Sequence, residues 1–408
     1  MRYIYLLSTL CLLALSTALP IHAQSGAIDA GQVEGTFSSA VRRIEVTSPD
    51  RDIALLARRA FSIHGGFELA ESGRAMFVIQ LDKLSPTRVQ LTVRGSQTVT
   101  REINGEDWRD ATLKACDEAV RLTLGIPGFF AGRLAFSSNR SSHREIYMSD
   151  LFFQRVRQLT HNRNNSIFPH WSPDGRRILY TGYFLTGFPD VLEIDLDTFQ
   201  IRPFASFRNT NTGGVFSPDG RSVALILSSS GNPELYISDA RGKNLRRLTN
   251  NNSLEATPTW SPDGKRLIVT SDGTSRPLLY EISASGGPLR PLPTNISRYC
   301  AEPSWNPVNA DLVAFTAATG GGFQLALFNM RTREAAKFIT GGPGDNKEPT
   351  WTNDGRHLIY TKSNASGEQL WILDVESFDS RTGMPKTYPI NPRDFGNASQ
   401  ASFVYPSR

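Results

Sequence analysis

The sequence predicts a mainly β protein, in which a six-bladed β-propeller follows a small mixed α/β domain. Three observations lead to this prediction. A segment that begins "WSPDGRRILYTG" recurs at a spacing of about 45 residues, which is the period of four-stranded propeller blades. Each repeat holds four short runs rich in β-branched and aromatic residues. The first part of the chain lacks the repeat and shows helical periodicity.

An aromatic residue opens each repeat and acts as its anchor. Successive anchors are separated by 45, 44, 45, 46 and 52 residues. We expect each anchor to lie on the innermost strand of a blade, where a large ring fills the wedge between neighbouring blades. The anchors are Trp171, Phe216, Trp260, Trp305, Trp351 and Phe403.

The Ser-Pro-Asp-Gly sequence that follows several anchors predicts a tight turn. Proline suits the second position of a type I turn, serine and aspartate accept hydrogen bonds from nearby amides, and glycine adopts the conformation that other residues avoid. One aspartate per turn, repeated in separate blades, favours a structural role over catalysis or calcium binding. These aspartates are Asp174, Asp219, Asp263 and Asp354.

The two ends of the repeat region complete one blade. Residues 133–160 contain three strand-like runs without an anchor strand before them, and residues 400–405 form an anchor-type strand with no blade after it. Joining them closes the ring and leaves no exposed edge. We therefore assign the propeller to residues 128–408 and expect strand 400–405 to close it.

The α/β domain is assigned to residues 41–127. Four strand-like runs form a meander, and two amphipathic helices flank it, one starting after Pro49 and one ending at Gly125. Residues 24–40 are small and polar and are expected to be mobile. Residues 1–23 are interpreted as a cleaved signal peptide, because Arg2 precedes an apolar run and a small residue precedes the cut. A membrane anchor is the alternative, but the run contains serine and threonine and no basic cluster follows it.

The net charge indicates which classes of partner the protein binds, and the cysteine content bears on disulfide bonding. The formal net charge is +5, and the surplus lies beyond residue 130, where 30 residues are basic and 25 acidic. It forms no Lys/Arg cluster, so we expect no nucleic-acid binding and favour an acidic protein partner. Cys116 and Cys300 are interpreted as buried hydrophobes or free thiols, and a bridge between them stays open.

No catalytic motif is present in the sequence. It contains no HExxH, paired CxxC, GxSxG or phosphate-loop pattern, and its histidines share no spacing. His170, beside an anchor, is interpreted as a packing or channel-rim residue. Glu302 and Glu348 lie three residues before their anchors, so we expect their side chains to face the channel, either as solvated rim charges or as groups that bind a partner or a cation.

Several stretches resemble the TolB family, the periplasmic component of the Tol-Pal cell-envelope system. They include "RIEVTS", "DEAVRLTLGIPGFFAGRLAFSS" across the domain junction, and "ASFRNTNTGGVFSPDGRSVALILSSSGNPELYISD" in the ring. The resemblance covers nearly all of the chain after the signal peptide. It implies a periplasmic, non-enzymatic and monomeric scaffold that is not inserted in a membrane and supports outer-membrane integrity, cell division and protein transport.

The resemblance also implies partners and a binding face. In the family the propeller mouth binds the peptidoglycan-associated lipoprotein Pal, and the N-terminal segment contacts the inner-membrane protein TolA. Some relatives hold calcium in the channel, although no ligand set can be assigned in this sequence and no other cofactor is expected. The segment before "RIEVTS" has no clear match, which leaves the TolA contact open. Carried onto this chain, the lipoprotein face comprises Thr210, Asn211, Glu255, Thr257, Arg298, Tyr299, Glu302, Asn346 and Glu348.

Two other functions remain open from the sequence. A secreted propeller hydrolase or lyase would require clustered histidines, acids and a metal at one mouth. A protein that binds glycans or peptides for uptake would require aromatic side chains along the channel.

Overall fold

The structure, a computed structural model, describes residues 41–405. The interpretations of residues 1–23 as a signal peptide and of residues 24–40 as a mobile segment lie outside the described residues. In the described part of the chain, no helix is both long and apolar enough to cross a membrane.

The first domain is a five-stranded sheet with two helices packed on it. Its strand order is β2-β1-β3-β4-β5, with β1 parallel to both of its neighbours and the other pairs antiparallel. Strand β2 is an element that the sequence did not predict. The elements in chain order are β1 (Arg42–Thr47), α1 (Arg51–Ser62), β2 (Phe67–Leu69), β3 (Phe77–Ser85), β4 (Arg88–Arg94), β5 (Thr98–Asn104) and α2 (Trp108–Leu124).

Side-chain caps fix where the two helices begin and end. The Asp50 carboxylate accepts the amides of Asp52 and Ile53 at the start of α1, and Asp107 does the same at the start of α2. Helix α2 ends at Gly125, whose φ of 73° is left-handed. The local sequence therefore sets the length of both helices.

Six four-stranded antiparallel sheets form the propeller, which confirms the predicted fold class. In each blade the first-named strand below lines the channel and the last-named strand lies outermost. Blade 1 comprises β9 (Ser166–Trp171), β10 (Arg177–Gly182), β11 (Asp190–Asp195) and β12 (Ile201–Ala205); blade 2, β13 (Asn211–Phe216), β14 (Ser222–Leu227), β15 (Glu234–Asp239) and β16 (Arg246–Arg247); blade 3, β17 (Glu255–Trp260), β18 (Arg266–Ser271), β19 (Leu278–Ser283) and β20 (Arg290–Pro291); blade 4, β21 (Cys300–Trp305), β22 (Leu312–Thr319), β23 (Gly322–Asn329) and β24 (Lys337–Phe338); blade 5, β25 (Asp345–Trp351), β26 (His357–Asn364), β27 (Gly367–Phe378) and β28 (Pro385–Pro389); blade 6, β29 (Ser399–Val404), β6 (Arg133–Ser138), β7 (Glu145–Asp150) and β8 (Val156–Gln158).

The C-terminal strand closes the ring. Strand β29 pairs antiparallel with β6, with Phe403 opposite Leu134 and Ser402 opposite Ala135. It also supplies acceptors to blade 1, because the amide and the indole N–H of Trp171 donate to Ser402 Oγ and Ser402 O, both at 3.2 Å. Blade 6 is therefore built from both ends of the repeat region.

The anchors pack in the wedges between blades. Trp171, Trp260 and Trp351 are between 5 and 7% exposed, and each indole N–H donates to a carbonyl on the inner strand of the preceding blade. Each of these three interfaces between neighbouring blades thus combines apolar burial with one directional hydrogen bond. The Trp305 indole instead bonds Ala310 O within its own blade.

The Ser-Pro-Asp-Gly segments form the turns that the sequence predicts. In blade 1, the Ser172 hydroxyl donates to Asp174 Oδ1, the same oxygen accepts the Arg176 amide at 3.1 Å, and Gly175 has a φ of 69°. The pattern repeats at Asp219, Asp263 and Asp354. The aspartates are thus held by their own turns, which supports the structural interpretation over catalysis or calcium binding.

The first domain contacts blades 5 and 6, mainly at the end of the ring that carries these turns. Asp117 of α2 accepts the amides of Phe130 and Ala131 in the connecting segment and the hydroxyl of Tyr405, which follows β29. Asn353 donates to Gly128 O at 3.0 Å. Cys116 and Cys300 are both buried free thiols, so they form no bridge.

Deleting residues 399–408 should open the ring, because Trp171 loses both acceptors and β6 becomes an unpaired edge. We expect a free-energy loss of at least about 4 kcal/mol, a melting-temperature drop on the order of 10 °C, and dye binding to exposed apolar surface. Differential scanning calorimetry measures the first two. Deleting only residues 406–408 is the control and should change nothing. Unaltered melting of the longer deletion would show that β29 does not close the ring.

Candidate functional site

Each inner strand carries a bulge three residues before its anchor, next to the channel. The residue there is left-handed in every blade, with φ between 45 and 73°, and the ladder to the second strand shifts register at the same point. In four blades proline follows, and since proline has no N–H the bulge leaves one donor fewer unpaired. The six bulge residues are Phe168, Gly213, Thr257, Glu302, Glu348 and Gln400.

The bulge side chains tie neighbouring blades together. Glu302 Oε2 accepts the Thr316 hydroxyl of its own blade at 2.7 Å and the amide of Glu348 in the next blade at 3.1 Å. Glu348 Oε2 repeats the arrangement with the Thr361 hydroxyl at 2.7 Å and the Gln400 amide at 3.2 Å. Both predicted contact residues therefore have a structural role around the channel in addition to any contact with a partner.

This series of hydrogen bonds, which we call the belt, extends over five blades. Gln400 Oε1 accepts the Phe168 amide at 3.2 Å, and the Thr270 hydroxyl, paired with Thr257, accepts the Glu302 amide at 3.3 Å. Phe168 and Gly213 occupy the remaining bulge positions and have no side-chain acceptor. The belt is therefore interrupted at blades 1 and 2.

Glu348 has an altered acidity. Burial and the nearby Glu302 carboxylate raise the pKa of Glu348 to about 7. Near neutral pH the acid pair consequently carries less than its full charge. This arrangement was not evident from the sequence, which places the two glutamates 46 residues apart.

Three predicted contact residues have side chains buried between blades. Asn211, Glu255 and Asn346 are at most 1% exposed. The Asn211 amide nitrogen donates to Pro189 O in blade 1, and that of Asn346 donates to Gln324 Oε1 in blade 4. They cannot contact a partner directly in this conformation. They fix the inner strand of one blade to the preceding one.

Glu255 belongs to a buried acid pair with Glu234 of the preceding blade. Glu255 Oε1 accepts from Ser271 and Asn251, while Glu234 Oε1 is paired with Arg247 at 2.8 Å. Burial, together with the Glu234 carboxylate, raises the pKa of Glu255 to about 7, while hydrogen bonds lower the pKa of Glu234. The pair lies buried between two blades and therefore has a structural role.

The remaining predicted residues lie closer to the surface. Arg298 is exposed, Tyr299 and Thr257 are half-buried, and Thr210 is 9% exposed. The Tyr299 ring packs edge-on against Phe323 at 5.2 Å between centroids. Of the nine predicted residues, Arg298 presents the most accessible charge.

Arg298 belongs to a basic rim at the end of the ring opposite the turns. We call this end the distal mouth; it consists of the loops that precede the inner strands and the loops that join second to third strands. Six exposed arginines lie in these loops without an ion pair among the described residues, and five of them were not predicted from the sequence. They are Arg140, Arg163, Arg208, Arg276, Arg298 and Arg393.

The histidines do not form an accessible site at this mouth. His143 and His161 are exposed in separate loops, and burial lowers the pKa of His170 to about 4, which fits its interpretation as a packing residue. His64, Asp354 and His357 do come together, but they are buried at the seam between the first domain and blade 5. A substrate in the channel cannot reach them.

A closed ring with one covered end and one free basic mouth defines a propeller that presents a binding surface at one end. The family model of the TolB β-propeller domain matches residues 120–387. Because this match covers more than half of the chain, the chain belongs to the TolB β-propeller family, which confirms the resemblance that the sequence shows.

Curated relatives and solved structures agree with this assignment. The Tol-Pal system protein TolB of Anaeromyxobacter dehalogenans is 33% identical over 158 residues, which is 39% of this chain and 36% of that protein. The Tol-Pal system protein TolB of Desulfotalea psychrophila is 26% identical over 209 residues, which is 46% of this chain and 48% of that protein. The chain thus spans less than half of the length of these relatives.

The crystal structure of TolB from Acinetobacter baumannii shares the fold. It superposes with a TM-score of 0.77 over 90% of this chain and 97% of that one, at 20% identity. A putative TolB from Agrobacterium tumefaciens gives a TM-score of 0.51 at 16% identity and covers 67% of this chain. At these identities the likeness concerns the fold alone.

Replacing Glu348 with glutamine should remove a pH dependence of stability. Because the folded-state pKa of Glu348, about 7, exceeds the ordinary value of 4.5, the folded chain binds more protons between these pH values. The parent therefore loses this contribution as pH rises through that interval. The variant keeps the acceptor for Thr361 and Gln400 without the charge.

We expect the variant to gain about 1–3 kcal/mol over the parent at pH 8 and to match it near pH 4.5. Urea denaturation at both pH values measures the difference, with Glu334→Gln, at an exposed position outside the belt, as the control. A constant difference between parent and variant across this range would contradict the assignment.

Proposed function

We propose that the protein is a non-enzymatic interaction scaffold of a Tol-Pal-type envelope system, and that its distal mouth binds a peptidoglycan-associated lipoprotein. The observation that carries this proposal is the distal mouth, whose exposed arginines form no ion pair within residues 41–405, on a ring of the TolB family. The family relatives named above are Tol-Pal system proteins, which supports the same role.

The distal mouth suits an acidic protein surface. Arginine is the side chain best adapted to bidentate pairing with carboxylates, and arginine and tyrosine are enriched among the residues that dominate binding energy. Arg298, beside Tyr299, provides such a combination. Arg163 and Arg208 extend the basic rim around blades 1 and 2, so the approach of an acidic partner is favoured before contact.

The buried and belt residues contribute indirectly. Asn211, Glu255 and Asn346 position the inner strands, and Glu302, Glu348 and Thr257 shape the channel beneath the mouth. We propose that they support the loops that carry Thr210, Arg298 and Tyr299. The direct contacts with the lipoprotein then come from these loops.

Location and the second partner rest on the resemblance. A periplasmic location requires export of the chain, and the segment proposed to direct it lies outside the described residues. The same holds for residues 24–40, which we propose as the contact with a TolA-like inner-membrane protein. Roles in outer-membrane integrity, cell division and protein transport follow from these partners.

The bulge positions provide only part of a calcium site. Calcium takes about six to eight oxygen ligands. The six bulge positions offer two carboxylates, one amide and the hydroxyl of Thr257, while Phe168 and Gly213 offer no oxygen from their side chains. Glu302 and Glu348 already accept hydrogen bonds in the belt. We therefore assign no role to calcium in partner binding.

The two alternative functions have less support. A hydrolase or lyase needs its histidines and acids to reach a substrate, whereas His64, Asp354 and His357 are buried away from the channel. An uptake protein for glycans needs aromatic platforms, whereas Phe168 is the one aromatic residue among the six bulge positions.

Reversing two charges at the mouth tests the proposal. The Arg208→Glu, Arg298→Glu double variant should bind the soluble domain of the peptidoglycan-associated lipoprotein at least about tenfold more weakly than the parent, because two attractive contacts become repulsive. Isothermal titration calorimetry at low and high salt measures this, and the deficit should shrink as salt increases. Arg241→Glu, exposed at the turn end, is the matched control.

Equal binding by the parent and the double variant would reject the distal mouth as the binding face. Failure of the parent itself to bind the lipoprotein would reject the proposed function.

A further inference from the structure

We infer that His64, Asp354 and His357 form a buried zinc site that fastens the first domain to blade 5. The three side chains come from the two domains: His64 follows α1, Asp354 lies in the turn of blade 5, and His357 begins β26. Each offers one ligand atom, and these atoms all lie within 4.8 Å of one another. This inference is independent of the proposed function.

The site is fully removed from water. His64, Asp354 and His357 are 1, 8 and 0% exposed. The two imidazole rings meet edge to face with centroids 4.8 Å apart, and Phe129 packs against both rings. Two histidines from different domains thus face one another in a dry pocket, where an unpaired polar group is costly.

Two nitrogen atoms at this seam have no hydrogen-bond partner among the described residues. They are His64 Nε2 and His357 Nε2, and both are inaccessible to solvent. The His357 nitrogen lies 3.3 Å from Asp374 Oδ2, without the geometry of a hydrogen bond. The His64 nitrogen therefore calls for an occupant. Imidazole nitrogen with carboxylate oxygen is a ligand set that zinc prefers.

His64 can present a nitrogen to a metal after a change of tautomer. Its Nδ1 accepts the Gly66 amide at 3.1 Å, so the hydrogen of the neutral ring is on Nε2. When Nε2 binds a metal, this hydrogen moves to Nδ1 and the hydrogen bond from the Gly66 amide is lost. The two glycines that follow His64 allow this peptide to turn away.

The remaining charges balance a divalent ion. The Asp354 carboxylate lies 2.6 Å from His357 Nδ1, and Arg356 is neutralised by Asp374 at 2.8 Å and Glu376 at 2.9 Å. When zinc is taken up during folding, it replaces the proton between Asp354 Oδ2 and His357 Nδ1, and that proton leaves to solvent. His357 Nε2 keeps its hydrogen, 3.3 Å from Asp374 Oδ2, which orients the ring from outside the ligand set.

Zinc binding requires a small contraction of the seam. With bonds of about 2.0–2.1 Å, the ligand atoms of a tetrahedral zinc site lie about 3.3–3.4 Å apart. Ligand atoms separated by up to 4.8 Å must therefore approach by as much as about 1.4 Å. Such a movement would draw the first domain towards blade 5.

The untagged mature protein is to be refolded from urea with or without zinc, since the buried site has no open route from solvent. We expect one zinc per chain after gel filtration by mass spectrometry of metals. Cobalt in place of zinc should give the visible absorption of a tetrahedral ion, and zinc should raise the melting temperature.

His64→Gln and His357→Gln should each remove a ligand and weaken zinc binding by more than about 100-fold, the upper value for loss of a partner outside the ligand set. Both should abolish the melting-temperature increase. His170→Gln is the control, because His170 is a half-buried histidine on strand β9, away from this seam. Circular dichroism of the metal-free variants confirms that they fold; should His357→Gln not fold, His64→Gln decides alone.

The zinc site would be rejected if the refolded parent held no stoichiometric zinc. It would also be rejected if His64→Gln bound zinc as the parent does. The second result would place the metal on exposed histidines such as His143 and His161.

Discussion

The structure depends on one constraint: six separate sheets must be held in a closed ring around a narrow channel. Neighbouring sheets share no strand pairing, so every interface between blades needs other contacts that are both apolar and directional. The anchors supply burial and, at three seams, an indole hydrogen bond. The bulges supply a second set, in which a side chain of one blade accepts the amide of the next. Strand β29 completes the ring from the other end of the chain.

Much of this architecture could be predicted from the sequence because it repeats. A recurring aromatic residue, a turn of fixed composition and four β-rich runs per period gave the number of blades and the closing strand. The bulges could not be predicted, because the residue there changes identity in almost every blade while its conformation does not. A proline directly after it in four blades was the available indication.

The burial of Asn211, Glu255 and Asn346 depends on contacts between blades, which no local pattern reveals. The arginines of the distal mouth lie far apart in sequence and meet only in the folded ring.

The two ends of the ring serve different purposes. The turn end is covered at blades 5 and 6 by the first domain, and the contacts there are buried, charged and specific, as at Asp117 and at Asp374, whose carboxylate accepts the Gly65 amide. The distal end is free of the first domain and carries exposed cations. A scaffold that binds one macromolecule at its mouth while the other end is joined to a second domain is consistent with this division. The interruption of the belt at Phe168 and Gly213 leaves blades 1 and 2 without a belt hydrogen bond between them, although Asn211 still bonds to Pro189 O across this interface.

The most direct test of the closed, belted ring is hydrogen exchange of the six bulge amides, followed residue by residue by nuclear magnetic resonance. The amides of Phe168, Glu302, Glu348 and Gln400 donate to side chains of the preceding blade. For the equivalent amides of Gly213 and Thr257, the bulge residues of the preceding blades are Phe168 and Gly213, whose side chains cannot accept a hydrogen bond. The account predicts slow exchange for the first four and markedly faster exchange for the other two. Equal exchange at all six positions would contradict the belt and the role assigned to it in holding the ring together.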